Sequence, residues 1–267
     1  LTDRLTLGAG TRYFDDDRER RDFLAGSTQK GSFDKLSSKG YLSFALTDDA
    51  TFYTSVAQGF RSGGFNRPGF PTFKPESIVS YELGVKAEFL ERRLNTELAV
   101  FYSEYTDYVA QTLDLTASPP IFVNTNPGDV ENKGIEWNIE WLATEQLFLG
   151  FSGSITDAEF VKIKSLPATQ IVGDSPDFIP EYNYSVRADY SFDWFDAAPG
   201  FFRLNYNRQG PASVALRTGG LLNPVVETES LGFLDAHISV KWESAVIELF
   251  ARNLLDEDEA TTSPLTG

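Results

Sequence analysis

The chain has 267 residues, with 23 basic side chains (Lys and Arg) against 39 acidic ones (Asp and Glu), which gives a net charge of −16. This acidity excludes the basic stripe by which proteins bind nucleic acids. The absence of cysteine excludes disulfides and thiolate metal sites. Because methionine is also absent, the chain is expected to be a mature or excised segment.

Alternation of apolar and polar residues predicts β-strands along the whole chain. In SYELGVKAEF (80–89) every second side chain is apolar, so an extended strand would have one apolar and one polar face. The pattern recurs in GIEWNIEWLA (134–143) and in EYNYSVRADYSF (181–192). The predicted strands, in chain order, are 3–13, 39–47, 51–60, 77–90, 94–110, 131–142, 147–160, 181–193, 201–209, 230–242 and 245–253.

Short and long connections alternate between these strands, so the long connections all fall at one end of the sheet. The long connections are 14–38, 61–76, 111–130, 161–180 and 210–229. Such a set is unusual in a compact soluble domain. It is typical of outer-membrane barrels, which have tight periplasmic turns and long external loops. One connection, DWFDAAPG (193–200), is long for a periplasmic turn.

The predicted fold class is therefore all-β, an antiparallel transmembrane β-barrel with lipid on its apolar face. A strand such as 79–89, tilted by about 40°, covers about 25 Å, which is near the height of a barrel's apolar band. Trp137, Trp141 and Tyr182 suit interfacial belts better than a dry core, where each polar ring group needs a partner. The alternative is a β-sandwich, which alternation alone does not exclude.

Several motifs resemble a known family. YTSVAQGFRSGGFN (53–66) and FKPESIVSYELGVKAEFLERRLNTELAVFYSEYTDYV (73–109) resemble the barrel of TonB-dependent outer-membrane receptors. Further matches are NKGIEWNIEW (132–141), FIPEYNYSVRADYSF (178–192) and ELFARNLLDED (248–258). The matches cover essentially the whole chain, in order and at the family's spacing.

The resemblance implies that 1–267 is a partial β-barrel domain of such a receptor, in the outer membrane of a Gram-negative bacterium. About eleven of the twenty-two strands of such barrels would be present. By the same resemblance, the family's plug domain and its last strand are expected to lie outside this sequence. The implied partners are TonB, which acts through the absent plug segment, outer-membrane lipid and lipopolysaccharide, and a small-molecule metal chelate.

The resemblance also implies a function, which is active transport without covalent chemistry and without a resident cofactor. A ferric siderophore, that is an iron chelate, is the first expectation for the ligand. Vitamin B12, oligosaccharides and other metal chelates use the same scaffold and stay open. A secreted all-β carbohydrate-binding module is the alternative from another class. No catalytic site is expected, because the only histidine, His237, has no Ser or Cys nucleophile at a recognisable spacing.

The loop RSGGFNRPGFPTFKPE (61–76) is the best candidate for ligand binding, because cationic and aromatic side chains interleave there in a strongly acidic chain. Such groups suit an anionic chelate of the catecholate or citrate type. The candidate residues are Arg61, Phe65, Asn66, Arg67, Phe70, Phe73 and Lys74. The alternative is that Gly and Pro only shape the loop and that Arg61 pairs with the plug.

Six charged residues on the polar strand faces are expected to face the lumen, and the resemblance implies that they line the barrel wall around a plug. They are Glu82, Lys86, Glu136, Glu140, Arg187 and Asp189. No metal site is expected. The acidic run Asp15, Asp16 and Asp17 matches no calcium-loop spacing and is expected to lie in a solvated loop.

Overall fold

The computed structural model describes residues 3–114, 118, 121–164, 170–194, 198–215 and 225–258. Within these residues no helix is long and apolar enough to cross a membrane. The strands are β1 (Leu5–Asp22), β2 (Ser27–Ala45), β3 (Ala50–Arg61), β4 (Glu76–Phe89), β5 (Leu94–Asp114), β6 (Ile121–Leu142), β7 (Leu147–Ile163), β8 (Tyr182–Trp194), β9 (Ala198–Gln209), β10 (Ser213–Ala215), β11 (Val225–Glu227), β12 (Leu231–Trp242) and β13 (Ala245–Ala251).

Eleven of these strands form one antiparallel sheet, in the order β1-β2-β3-β4-β5-β6-β7-β8-β9-β12-β13, and β10 pairs with β11 in a small second sheet. The strands alternate in direction, so successive connections lie at opposite ends. The tight connections 46–49, 90–93 and 143–146 mark the short-turn end, whereas 62–75 and 164–181 lie at the long-loop end. The longest connections therefore lie at one end of the sheet, as predicted, but two of the five connections predicted to be long are not.

Two predicted loops are largely strand. β1 continues to Asp22 and β2 begins at Ser27, so the prediction of a loop at 14–38 is wrong. This outer part of the β1–β2 hairpin (14–38) has polar and charged residues on both faces, and only the backbone ladder reveals the strands. Likewise, β5 and β6 extend into the predicted loop 111–130. The connection between β8 and β9 is tighter than predicted, because β8 ends at Trp194 and β9 begins at Ala198.

The sheet has an apolar face that no second layer of the described residues covers. On β4, Tyr81 is 42% exposed, Leu83 45% and Val85 38%. Leu98 and Val100, which pair with residues of β4 on the same face, are also exposed. An uncovered apolar face is expected where lipid replaces a protein core. The sandwich alternative is wrong, since the only other sheet among the described residues has two short strands.

Aromatic residues border this apolar face toward the long-loop end. The rings of Tyr81 and Tyr102 lie 6.3 Å apart, and Tyr182 stacks on Tyr184 at 6.2 Å. Lys133, which pairs with Tyr102 in the strand register, lies 3.0 Å from Asp157 on β7. A border of aromatic and charged side chains next to an apolar band is the profile of a membrane interface.

A small apolar core forms at the long-loop end. Phe160, Val130 and Pro176 are fully buried, and Tyr108 meets Phe160 edge to face at 5.8 Å. The backbone N–H of Phe160 donates to the Asp174 carbonyl (2.8 Å), so the segment after β7 pairs with the edge of β7. The loops at this end therefore have a packed base.

Candidate ligand-binding site

The loop between β3 and β4 (62–75) is a hairpin with a defined tip. Its neck is held by two backbone hydrogen bonds between Gly64 and Phe73, each 3.1 Å long. At the tip, the N–H of Phe70 donates to the Arg67 carbonyl at 3.0 Å, and Gly69 has a φ of +92°. With proline at position 68, this is the geometry of a type II turn, in which proline and glycine take the two central positions. The Pro-Gly pair therefore fixes the tip.

Arg61 fastens the base of this loop to β5. Its Nη2 donates to Glu76 Oε2 (3.0 Å) and to the Val109 carbonyl (2.7 Å), and the N–H of Val109 donates to Glu76 Oε2 (2.6 Å). Charge-assisted hydrogen bonds of this kind are the stronger ones in proteins. Two N–H donors of Arg61 are thus accounted for within the chain, which favours a positioning role.

Asn66 is the most deeply buried of the candidate residues, with 7% of its surface exposed. Its Nδ2 donates to the carbonyls of Pro71 and Asn124, both at 2.8 Å, and its Oδ1 accepts from the N–H of Asn124 at 2.9 Å. The side-chain amide thus satisfies both backbone groups of a residue on β6. A buried amide with this many partners stabilises the loop.

A second asparagine repeats this link near the end of the loop. The N–H of Lys74 donates to Asn126 Oδ1 (2.7 Å), and Asn126 Nδ2 donates to the carbonyls of Lys74 (3.1 Å) and Asp107 (2.7 Å). Two amide side chains therefore join the loop to the neighbouring strands. Asn66 does so near the start of the loop, and Asn126 does so near its end.

The outer β1–β2 hairpin holds the other side of the loop. Arg18 Nη1 donates to the Gly63 carbonyl (3.0 Å), and Arg20 Nη1 donates to the Phe65 carbonyl (3.2 Å). The neighbouring Gly63 has no room for a side chain, since a Cβ there would lie 2.6 Å from the carbonyl oxygen of Phe73. The loop is thus clamped between two long hairpins.

The seven predicted ligand residues divide into two groups in the structure. Arg61 and Asn66 are engaged in hydrogen bonds, and the rings of Phe65 and Phe73 lie against backbone at Gly31 and Gly64. The other three, Arg67, Phe70 and Lys74, lie at the tip and its return, and both cations are exposed. Within the described part of the chain, neither the Arg67 guanidinium nor the Lys74 ammonium has an ion-pair partner.

Near the base of these loops, Lys164 contacts two carboxylates. Its Nζ lies 2.9 Å from Asp107 Oδ1 and 2.5 Å from Asp129 Oδ1. Burial alone would lower the pKa of Lys164, but the hydrogen bonds to Asp129 and Asp107 outweigh it, so its pKa is raised. The lysine therefore stays charged and ties the end of β7 to β5 and β6.

The six residues predicted to face the lumen share one face of the sheet, opposite the apolar face. Strand register places Glu82, Lys86 and Glu136 there, and Lys86 Nζ lies 2.7 Å from Glu97 Oε1. A recess of about 710 Å³ in the middle of the sheet is lined in part by these strands. Glu140, Arg187 and Asp189 follow on the same face by register.

The acidic run in the N-terminal part of the chain has other surroundings than expected. The run of three aspartates lies inside β1, so the prediction of a loop there is wrong; Asp16 lies 2.5 Å from Arg18. No group of three or more metal-ligating side chains occurs among the described residues.

Sequence reasoning missed four residues that contact the loop, namely Arg18, Arg20, Asn124 and Asn126. They are far from the loop in the sequence, and no local spacing reveals their contacts with it.

Comparison with known proteins gives the family. A model of the family described as "TonB dependent receptor-like, beta-barrel" matches residues 1–254. The chain belongs to this family. Its place is therefore the outer membrane of a Gram-negative bacterium, and the exposed apolar face of the sheet agrees with this.

The similar proteins are receptors, and each is much longer than this chain. The chain is 27% identical over 198 residues to the pesticin receptor of Yersinia pestis, an alignment that covers 68% of the chain and 27% of the relative. It is 27% identical over 213 residues to the metal-pseudopaline receptor CntO of Pseudomonas aeruginosa, with 74% and 28% covered. The chain spans about a quarter of these curated relatives.

A solved structure shows the same fold. The ferric yersiniabactin uptake receptor FyuA from Yersinia pestis superposes with a TM-score of 0.76 and 23% identity, over 100% of this chain and 40% of FyuA. An 11-stranded antiparallel sheet of this kind is therefore part of a known membrane barrel fold.

Proposed function

We propose that the chain forms part of the barrel wall of a TonB-dependent receptor that takes up an anionic iron chelate. The observation that carries the proposal is a clamped loop at the end of a sheet whose apolar face is exposed, with two cations, Arg67 and Lys74, that have no ion-pair partner among the described residues. In a barrel this loop would lie outside the membrane, because long loops of such barrels are external.

The sheet has two edge strands, β1 and β13, and further strands of the receptor would close it into a barrel. β1 and β13 run in the same direction, since the eleven strands alternate. An antiparallel barrel closes only if the remaining strands are odd in number, which agrees with twenty-two strands in all. Unpaired backbone groups at an edge in lipid would each cost several kcal/mol. The polar face with Glu82, Lys86 and Glu136 would then line the lumen, around a plug through which TonB acts.

The loop chemistry fits an anionic chelate. Guanidinium and ammonium groups bind carboxylates and catecholates, and Phe70 at the tip offers a ring for a flat ligand. FyuA, one of the solved relatives, is described as an uptake receptor for ferric yersiniabactin. Lipid and lipopolysaccharide would cover the apolar face outside.

Iron uptake by the full-length receptor tests the proposal. Cells that lack the gene would be complemented with wild type, with Arg67→Ala/Lys74→Ala, or with Arg92→Ala. Arg92 is a matched control, since it is exposed and lies at the short-turn end. Each lost charged contact would cost about 1.5 kcal/mol, so the double variant should bind the chelate about a hundredfold more weakly. The assay measures cell-bound and internalised radioactive iron from the native siderophores of the strain.

Equal uptake by wild type and by cells that lack the gene would contradict the proposal. So would uptake that persists after the proton gradient is collapsed. A second candidate is a chelate of another metal, because one relative is described as a metal-pseudopaline receptor. Expression that responds to zinc or nickel limitation, and not to iron limitation, would favour this second candidate.

A further inference from the structure

A second recess lies on the polar face, away from the loop, where β8, β9, β12 and β13 run side by side. Its volume is about 490 Å³, and its lining includes Arg187, Arg203, Asp235, His237, Phe250 and Arg252. His237 pairs with Arg203 across the two strands. Most of the side chains that line the recess can therefore donate hydrogen bonds.

Two arginines of the recess are held in place by one buried carboxylate. Asp189 is 7% exposed. Arg203 donates to it from Nε (2.8 Å, to Oδ1) and from Nη2 (3.0 Å, to Oδ2), and Arg187 Nε donates to Oδ2 at 2.9 Å. Arg187 also lies over the ring of Phe148 (5.1 Å). Both guanidinium groups are thus fixed before any ligand arrives.

These guanidinium groups have more N–H donors than their hydrogen bonds to Asp189 use. A guanidinium has five N–H bonds, and the bonds to Asp189 use only part of them. Arg252 lies over the ring of Phe250 at 5.5 Å and has no carboxylate partner among the described residues. The side chains of Arg187 and Arg203 are about two-fifths exposed, so their remaining donors are accessible.

The recess is positive in a strongly negative chain. Three arginines face two carboxylates, Asp189 and Asp235, and Asp235 already accepts a hydrogen bond from the N–H of Asn253 (2.9 Å). A local positive charge with low-dielectric walls concentrates anions. Guanidinium donors held in fixed positions favour oxyanions over other anions.

We propose that this recess binds a carboxylate-bearing small molecule, as a second contact for anionic cargo below the external loop. That the bound molecule is the cargo rests on the proposed function, whereas anion binding by the recess does not. One other source of the same chemistry exists, which is a carboxylate side chain from elsewhere in the receptor.

Residue-specific arginine modification of the full-length receptor tests this proposal. Phenylglyoxal would be added with and without citrate as the probe, and the modified residues would be quantified by mass spectrometry. At a citrate concentration ten times the dissociation constant, mass action leaves about one site in eleven empty, so modification of Arg203 and Arg252 should slow about tenfold. Arg92, the matched control at the short-turn end, should be unaffected.

The outcomes distinguish a small-molecule carboxylate from a carboxylate side chain of the receptor as the group that occupies the recess. Slowing by citrate supports the proposal, and the variant Arg203→Gln should then lose the protection of Arg252 while Arg92 reacts as before. Equal rates with and without citrate would overturn it. Slow modification under both conditions would also overturn it, since another part of the receptor then occupies the recess. A failed iron-uptake assay would leave citrate protection intact, so the two proposals fail separately.

Discussion

The replacement Asn66→Ala should loosen the attachment of the β3–β4 loop to β6. The substitution removes three hydrogen bonds, one to Pro71 within the loop and two to Asn124 on β6. Each bond to β6 has a net value of about 1 kcal/mol, so docking of the loop should weaken by about 2 kcal/mol. Since 1.4 kcal/mol corresponds to tenfold, amide exchange in 62–75 should accelerate by about 30-fold.

Hydrogen exchange of the full-length receptor in lipid nanodiscs, read by mass spectrometry, measures this change. The apolar sheet should exchange as in wild type, because Asn66 contacts only the loop and β6. Arg67→Ala is a matched control in the same loop, since its side chain is exposed at the tip. Exchange in 62–75 that stays at the wild-type rate in Asn66→Ala would refute the reasoning, as would equal acceleration in the control.

Three further predictions concern the sheet, the neck of the loop and the charge at its base. Leu83→Arg on the apolar face should destabilise the inserted receptor by about 2–4 kcal/mol, as a lower urea midpoint in vesicles; an unchanged midpoint would mean that lipid does not contact this face. Gly63→Ala should displace the loop, because its Cβ would meet the Phe73 carbonyl, and chelate affinity should fall while the urea midpoint stays; wild-type affinity would contradict this. The raised pKa of Lys164 means that its contact with Asp107 and Asp129 stabilises the folded state below the ordinary lysine pKa of 10.5 and is lost as pH rises through the higher folded value. The protection of 170–181, that is its exchange rate relative to the base-catalysed rate of an unfolded peptide at the same pH, should therefore fall only above about pH 10.5, and Lys164→Met should remove this dependence; a fall in protection at a lower pH would contradict the assignment.

Along the exposed apolar face the sequence was sufficient, because alternation there has a physical cause. Leu83 and Val85 lie on the exposed apolar face while Glu82 and Lys86 lie on the opposite face, and this contrast is visible in the residues themselves. Outside that zone both faces meet water or other loops. The outer parts of β1, which carries Arg18, and of β2 therefore show no regular alternation of apolar and polar residues, and the prediction assigned them to a loop.

The site was predictable only in part for a similar reason. The mixture of cations and rings in 61–76 identified the loop, but the division between anchoring and exposed residues depends on partners far away in the chain. Asn66 and Asn124 are 58 positions apart. Arg61 finds its carbonyl partner on β5 at Val109. No spacing within a short window encodes such contacts.

The neck at Gly64 and Phe73 is closed by backbone hydrogen bonds, which do not involve the tip residues Arg67 to Phe70. These four residues could therefore be replaced without opening the neck, although a contact of Arg67 with the chelate would be lost. If the loop is external, as proposed, a peptide epitope or a fluorophore-bearing cysteine grafted there would report from the cell surface while Asn126, Arg18 and Arg20 still hold the rest of the loop.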